Sequence, residues 1–166
     1  MVTKHKKHET NSKKYRQFEL EFQSVVVRYK RKLIRINNVH FKCVAGPLYR
    51  LESLDEVIES LPSVRRSIIC GDFNTFGRIW TNIFLYKIFK YSKSEVLFNE
   101  YQALNDKIMQ HNYHNALAGL STFSWLPLQL DYILVSKDML VLERVKYKQR
   151  FGSDHHPIMV LIALLG

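Results

Sequence analysis

A chain of 166 residues with 46% hydrophobic side chains can bury one core but not two comfortable ones. Its formal net charge of +10 directs attention to polyanionic partners, nucleic acid or anionic lipid head groups, rather than acidic assemblies. No apolar leader opens the sequence, and the closing run IMVLIALLG is about half of the roughly 20 residues needed to span a bilayer, so neither a signal peptide nor a transmembrane segment is expected, and the cytoplasm is the default location.

The charge is uneven. Residues 1–35 hold 11 Lys/Arg against three Glu, leaving a net +2 for the remainder. The first 17 residues, MVTKHKKHETNSKKYRQ, offer almost nothing apolar to bury, which predicts a solvated basic tail ahead of a domain over 18–166. Phe18, Leu20, Phe22 and Val25-Val26-Val27 read as a strand, and Leu33-Ile34-Arg35-Ile36 as its partner across a basic turn, Arg28 to Lys32. Leu48, Leu51, Leu54, Val57, Ile58 and Leu61 recur at helical spacing, ending at Pro62. Ser67 to Cys70 is a short buried strand. Two helices are expected next, one along Ile79, Trp80, Ile83, Phe84 and Ile88, the other along Val96, Leu97, Tyr101, Leu104 and Ile108. Leu130 to Val135, Met139 to Lys148 and Ile158 to Leu165 read as three further strands. Cys43 and Cys70 lack metal-ligand spacing and sit in or beside apolar runs, as core thiols do.

Polar residues gather where these strands end. His40 closes LIRINNVH, Asp72 and Asn74 follow SIIC, Asp131 opens DYILV, and Asp154, His155 and His156 precede the last strand. Singly, an Asp after a strand is a turn former and a His a satisfied structural residue. Together they suit a sheet-based enzyme, whose strand-end loops bring distant side chains into one pocket.

The ordered set Asn38-Val39-His40, Gly71-Asp72-Phe73-Asn74-Thr75, Leu130 to Ser136 (LDYILVS) and Gly152 to Ile158 (GSDHHPI) resembles the endonuclease/exonuclease/phosphatase superfamily, the deoxyribonuclease I-like fold. The resemblance runs from about residue 20 to the end and matches the later part of a family domain. It implies an α/β (α+β) four-layer αββα sandwich of two mixed sheets, lacking its N-terminal part. It implies phosphoester hydrolysis by an activated water with Mg²⁺ or Mn²⁺, chemistry in which charge developing at phosphorus must be neutralised.

Carried over by residue, Asp72 resembles the aspartate that orients or deprotonates the water and contributes to the metal site. Asn74 resembles the donor to a phosphate oxygen, the two side by side on one face of an extended turn. His155 resembles the histidine on the scissile phosphate and Asp131 the carboxylate that sets its tautomer. Asp154 resembles a metal ligand, and His40 a second histidine across the phosphate. His156 is expected to be structural. The family's glutamate within a Gln-Glu strand end, a principal metal ligand, has no counterpart: Glu19 and Glu21 lie too close to the NVH strand. The substrate is expected to be a phosphodiester, with nucleic acid favoured over lipid by the basic first 35 residues. The alternatives are a lipid or inositol phosphate phosphodiesterase, and a catalytically idle remnant acting as a basic binding module. The aromatic stretches Phe76 to Trp80 and Phe123 to Pro127 could touch substrate or simply pack.

Overall fold

The computed structural model describes residues 2–6, 21–60, 65–77, 83 and 93–165. The helix expected along Ile79 to Ile88 lies outside these apart from Ile83, which is helical, and so do residues 7–20 and Pro62.

Among the described residues, eight strands form two sheets. The larger has the order β1 (Val2–Lys6), β2 (Glu21–Tyr29), β3 (Lys32–His40), β4 (Ser67–Asp72), β6 (Asp131–Ser136), β5 (Tyr113–Asn115). The smaller pairs β7 (Met139–Lys146) with β8 (Ile158–Leu164), antiparallel, with a bulge between Val141 and Glu143. In the larger sheet β3 and β4 run parallel and every other pair is antiparallel. A parallel pair needs a crossover, and helix α1 (Pro47–Glu59) supplies it. Pro47 opens that helix, where a missing N–H costs nothing.

Three readings are corrected. Residues 2–6 are not tail but strand β1, because an open strand edge satisfies backbone groups whatever the side chains. The helix expected from Val96 to Ile108 is two, α2 (Lys93–Val96) and α3 (Glu100–Gln110), because the Asn99 side chain accepts from Gln102 N–H and starts a new helix. Leu48 and Leu97, which fall on the apolar stripes of the expected helices, are exposed. Strand β5 carries only three residues, too few to show an alternating pattern.

One face of the large sheet packs on the helices. Leu51, Leu54 and Val57 of α1 and Leu104 and Ile108 of α3 meet Val39, Ile69, Phe73, Tyr132 and Leu134. The other face meets the small sheet through Ile34, Ile68, Val135, Met139, Val141, Val160 and Ile162. The architecture is thus mixed α/β with two sheets, and the described residues supply three layers of the expected four. Cys43 and Cys70 are not joined in a disulfide, and both are half-buried, less enclosed than expected. No helix among the described residues is long and apolar enough to cross a membrane.

Register does the work of assembly. His40 pairs with Asp72, and Asp72 with Asp131, so three strands present these residues at one sheet end. Gly71, one residue earlier, has φ +134°, and a Cβ there would lie 2.0 Å from the Val39 carbonyl oxygen. Only glycine lets β4 come this close to β3. Gly71→Ala is expected to cost about 2–4 kcal/mol in a chemical denaturation experiment, combining backbone strain with a clash in a central strand. A cost under about 1 kcal/mol would show that the strands part easily here.

Candidate active site

The chain beyond β4 turns sharply. Asn74 adopts φ +51° rather than the extended turn expected, and its backbone N–H donates to Asp72 Oδ1 at 2.8 Å. Its side-chain amide donates to Phe41 O at 2.9 Å and to Asp72 Oδ2 at 3.1 Å. Both amide hydrogens are therefore engaged inside the protein, and Asn74 is only 6% exposed. In this arrangement Asn74 holds Asp72; a bond to phosphate would require it to exchange a partner. Phe73 N–H reaches Leu130 O and Phe41 N–H reaches Asp72 O, each at 2.9 Å, tying the three strand tips together.

His155 arrives from the loop before β8. Its Nδ1 lies 2.7 Å from Asp131 Oδ2, its backbone N–H donates to Ser153 Oγ, and its ring meets the Phe123 ring edge-on at 5.6 Å. With Nδ1 committed to the carboxylate, Nε2 is the nitrogen left to face a ligand. Single atoms of Asp72, Asp131 and His155 all lie within 4.8 Å of one another. His40 stands at the rim, 77% exposed, its Nε2 3.7 Å from Asp72 Oδ2. Asp154 is exposed, and its carbonyl oxygen accepts from Ser124 N–H at 3.0 Å and from the Ser124 hydroxyl. His156 donates its backbone N–H to Thr122 O at 2.8 Å and sets Nδ1 3.0 Å from Tyr147 O.

Electrostatics follow from these contacts. Burial pushes the Asp72 carboxyl above the usual range; the Asn74 N–H opposes, Asp131 adds to the rise, and His155 and His40 oppose it. For His155, burial acts to lower the value, but the hydrogen bond and charge of Asp131, with Asp72 and Asp154 behind them, outweigh it and hold the imidazole above its ordinary pKa. A pair of ionisable groups is thereby kept as a carboxyl disposed to take a proton and an imidazole disposed to keep one.

Asp72, Asp131 and His155 form a donor set that could hold a metal ion. Two carboxylates suit a hard divalent cation that keeps water and phosphate in its other positions. Each Asp72 oxygen accepts one hydrogen from Asn74 and retains a further lone pair, whereas Asp131 is committed to His155. The residues present fit such an ion, with Asp72 the freer ligand.

One contributor carries no motif signal. Thr122, fully buried, accepts at Oγ1 from the N–H groups of Leu130 and Asp131, both at 3.0 Å, and so aims the start of β6. Nothing in the spacing of Thr122 from Asp131 marks it; only the closed loop does. Of the aromatic stretches, Phe123 packs on His155, the Arg50 guanidinium lies 5.4 Å from the Phe76 ring centroid, and Trp125 is 78% exposed.

The sequence model of a family described as endonuclease-reverse transcriptase matches residues 34–159. A search of curated proteins returns no match. Among solved structures, an endonuclease/exonuclease/phosphatase from Beutenbergia cavernae superposes with a TM-score of 0.71 at 13% identity, covering 100% of this chain and 45% of that one. The inositol polyphosphate 5-phosphatase domain of spSynaptojanin, in complex with inositol (1,4)-bisphosphate and calcium ion, gives 0.59 at 14% identity over 99% of this chain and 56% of that one. A humanized TDP2 from D. rerio gives 0.58 at 12% identity over 98% and 66%. The likeness at these identities is one of fold, and the chain spans about half the length of the first two.

Proposed function

Since the chain belongs to the endonuclease-reverse transcriptase family, within the endonuclease/exonuclease/phosphatase superfamily, we propose that it hydrolyses a phosphodiester, with nucleic acid as the substrate class. The observation that carries this reading is the convergence of Asp72, Asp131 and His155 within 4.8 Å.

Asp72 takes the proton from the attacking water, helped by a pKa raised through burial. His155, held protonated by Asp131, donates from Nε2 to a phosphoryl oxygen and stabilises the charge that develops there. Asn74 fixes the Asp72 carboxylate, and His40 is placed to meet the substrate from the rim. Asp72, with Asp154 at the mouth, would hold Mg²⁺ or Mn²⁺, which when bound neutralises charge on the phosphate. Nucleic acid is favoured by the net +8 of the first 35 residues.

The test is turnover of plasmid DNA, an inositol phosphate, sphingomyelin and a bis-aryl phosphodiester, with Mg²⁺ or with EDTA. Metal-dependent cleavage of DNA is the expected result. Cleavage of the inositol or lipid ester alone would move the substrate class, and inertness on every substrate would mark a non-catalytic protein.

A second check needs no substrate. In ion-free protein, an NMR titration of His155 should give a pKa above the ordinary imidazole value, and Asp131→Asn should bring it down. The sign for stability follows: a raised folded pKa stabilises fully below the unfolded value, near about 6.5, and the contribution is lost as pH rises through the folded value. An unchanged titration in the variant would separate His155 from Asp131.

A further inference from the structure

The end of the large sheet opposite the site carries its own chemistry. Strand β3 starts at Lys32 and ends at His40, so the β2–β3 turn lies about 26 Å from the candidate site at roughly 3.3 Å per residue. The turn is a tight one: Tyr29 pairs with Lys32, leaving Lys30 and Arg31 as the two central residues, with φ +44° and +64°. Such hairpin turns favour Asn-Gly because both central residues must adopt a left-handed conformation. Lysine and arginine pay a conformational penalty there that Asn-Gly would avoid.

What stands at the tip is cationic and unopposed. Arg28, Lys30 and Arg31 are exposed, and among the described residues no carboxylate pairs with them. Tyr29 is 52% exposed, with Lys30 Nζ 5.4 Å from its ring centroid. By contrast, Lys32 and Arg66 donate to the Leu165 carbonyl oxygen and Arg65 to Asp138, so these cations are spent on structure. A solvated turn with no ligand would not require two cations in a strained conformation flanked by an exposed aromatic.

We infer that the β2–β3 hairpin tip is a second nucleic-acid contact, separate from the candidate active site, which grips a single-stranded segment through Arg28, Lys30 and Arg31 and stacks a base on Tyr29. Lys30 beside the exposed Tyr29 ring sets a cation next to a stacking face, and Arg28 and Arg31 add charge at the same tip, the combination on which sequence-tolerant single-strand binding is built. A duplex held crosswise over the strand tips, with a persistence length of about 50 nm, does not fold back to the opposite end of the same sheet. A flexible strand can reach. The inference does not require the site at the other end to be catalytic.

The test uses the full chain, a fluorescent 20-mer of oligothymidylate and vesicles of phosphatidylserine and phosphatidylcholine. Lys30→Asn/Arg31→Gly removes both charges while installing the residues the turn prefers, so thermal stability should be kept or raised. Oligothymidylate binding should weaken at least about tenfold at low salt, and the slope of log K against log salt should become shallower by about 1.4, the value for two lost single-strand phosphate contacts. Tyr29→Ala should weaken binding while leaving that slope unchanged. In an Asp72→Ala background, where turnover is lost, Lys30→Asn/Arg31→Gly should still weaken oligothymidylate binding, so loss of catalysis and loss of this contact are read apart. Unchanged oligothymidylate affinity and slope in the Asn-Gly variant overturn the inference. So does a result in which vesicle binding, not oligonucleotide binding, is what the variant loses.

Discussion

Replacing Glu100 by alanine is expected to lower the free energy of unfolding by about 3–5 kcal/mol, the cost of leaving a buried charge without its partner. Glu100 is fully buried and Arg50 only 2% exposed. They form a two-pronged pair, Nε to Oε1 at 2.6 Å and Nη2 to Oε2 at 2.9 Å. The guanidinium also donates to the carbonyls of Ala45 at 2.5 Å and Cys43 at 3.4 Å, while Gly77 N–H donates to Glu100 Oε2 at 3.4 Å. One ion pair thus joins α1, the start of α3, the loop after His40 and the loop that follows Asn74. Arg50→Ala should cost about as much, while Arg50→Met/Glu100→Leu should recover most of the loss, since a well-packed apolar pair avoids the desolvation penalty. Urea denaturation of the three variants decides it. Single-variant losses below about 1 kcal/mol would mean that water reaches the pair.

Asp72→Ala and His155→Ala are each expected to reduce phosphodiester turnover by about 10²–10⁴-fold, the range for removing a positioned acid or base. Because the two groups act on one phosphate, their double variant should be little worse than the poorer single one. Circular dichroism should stay native, as Asp72 sits at a strand tip and His155 on the loop before β8, neither in the core. Multiplicative losses would instead indicate two independent roles. Full activity in either single variant would remove that residue from the reaction.

Much of this was legible in the chain. Alternating apolar runs located β2, β3, β6, β7 and β8, and the strand-end position of Asp72, Asp131 and His155 foretold their approach, because pairing places strand ends together whatever lies between them in sequence. The site's finer structure was not legible. Asn74 was expected to face the phosphate, but its φ of +51° turns it onto Asp72; a left-handed asparagine looks in sequence like any other. Asp131 joins Asp72 and His155 in one cluster of potential metal donors, a grouping the motifs did not mark, while Asp154 is exposed. Thr122 was invisible because its contribution is two backbone hydrogen bonds across a loop. Strand β1 escaped because edge pairing draws on the backbone, and the charged composition of residues 1–17 argued only about side-chain burial.

The most direct measurement is a crystal structure of the protein soaked with Mn²⁺ and a phosphorothioate dinucleotide that resists cleavage. The phosphorus should lie within hydrogen-bond reach of His155 Nε2, with the anomalous manganese peak on the Asp72 carboxylate and the His155–Asp131 bond intact. A fully occupied dinucleotide found elsewhere, with Asp72 and His155 both facing bulk water, would contradict the account.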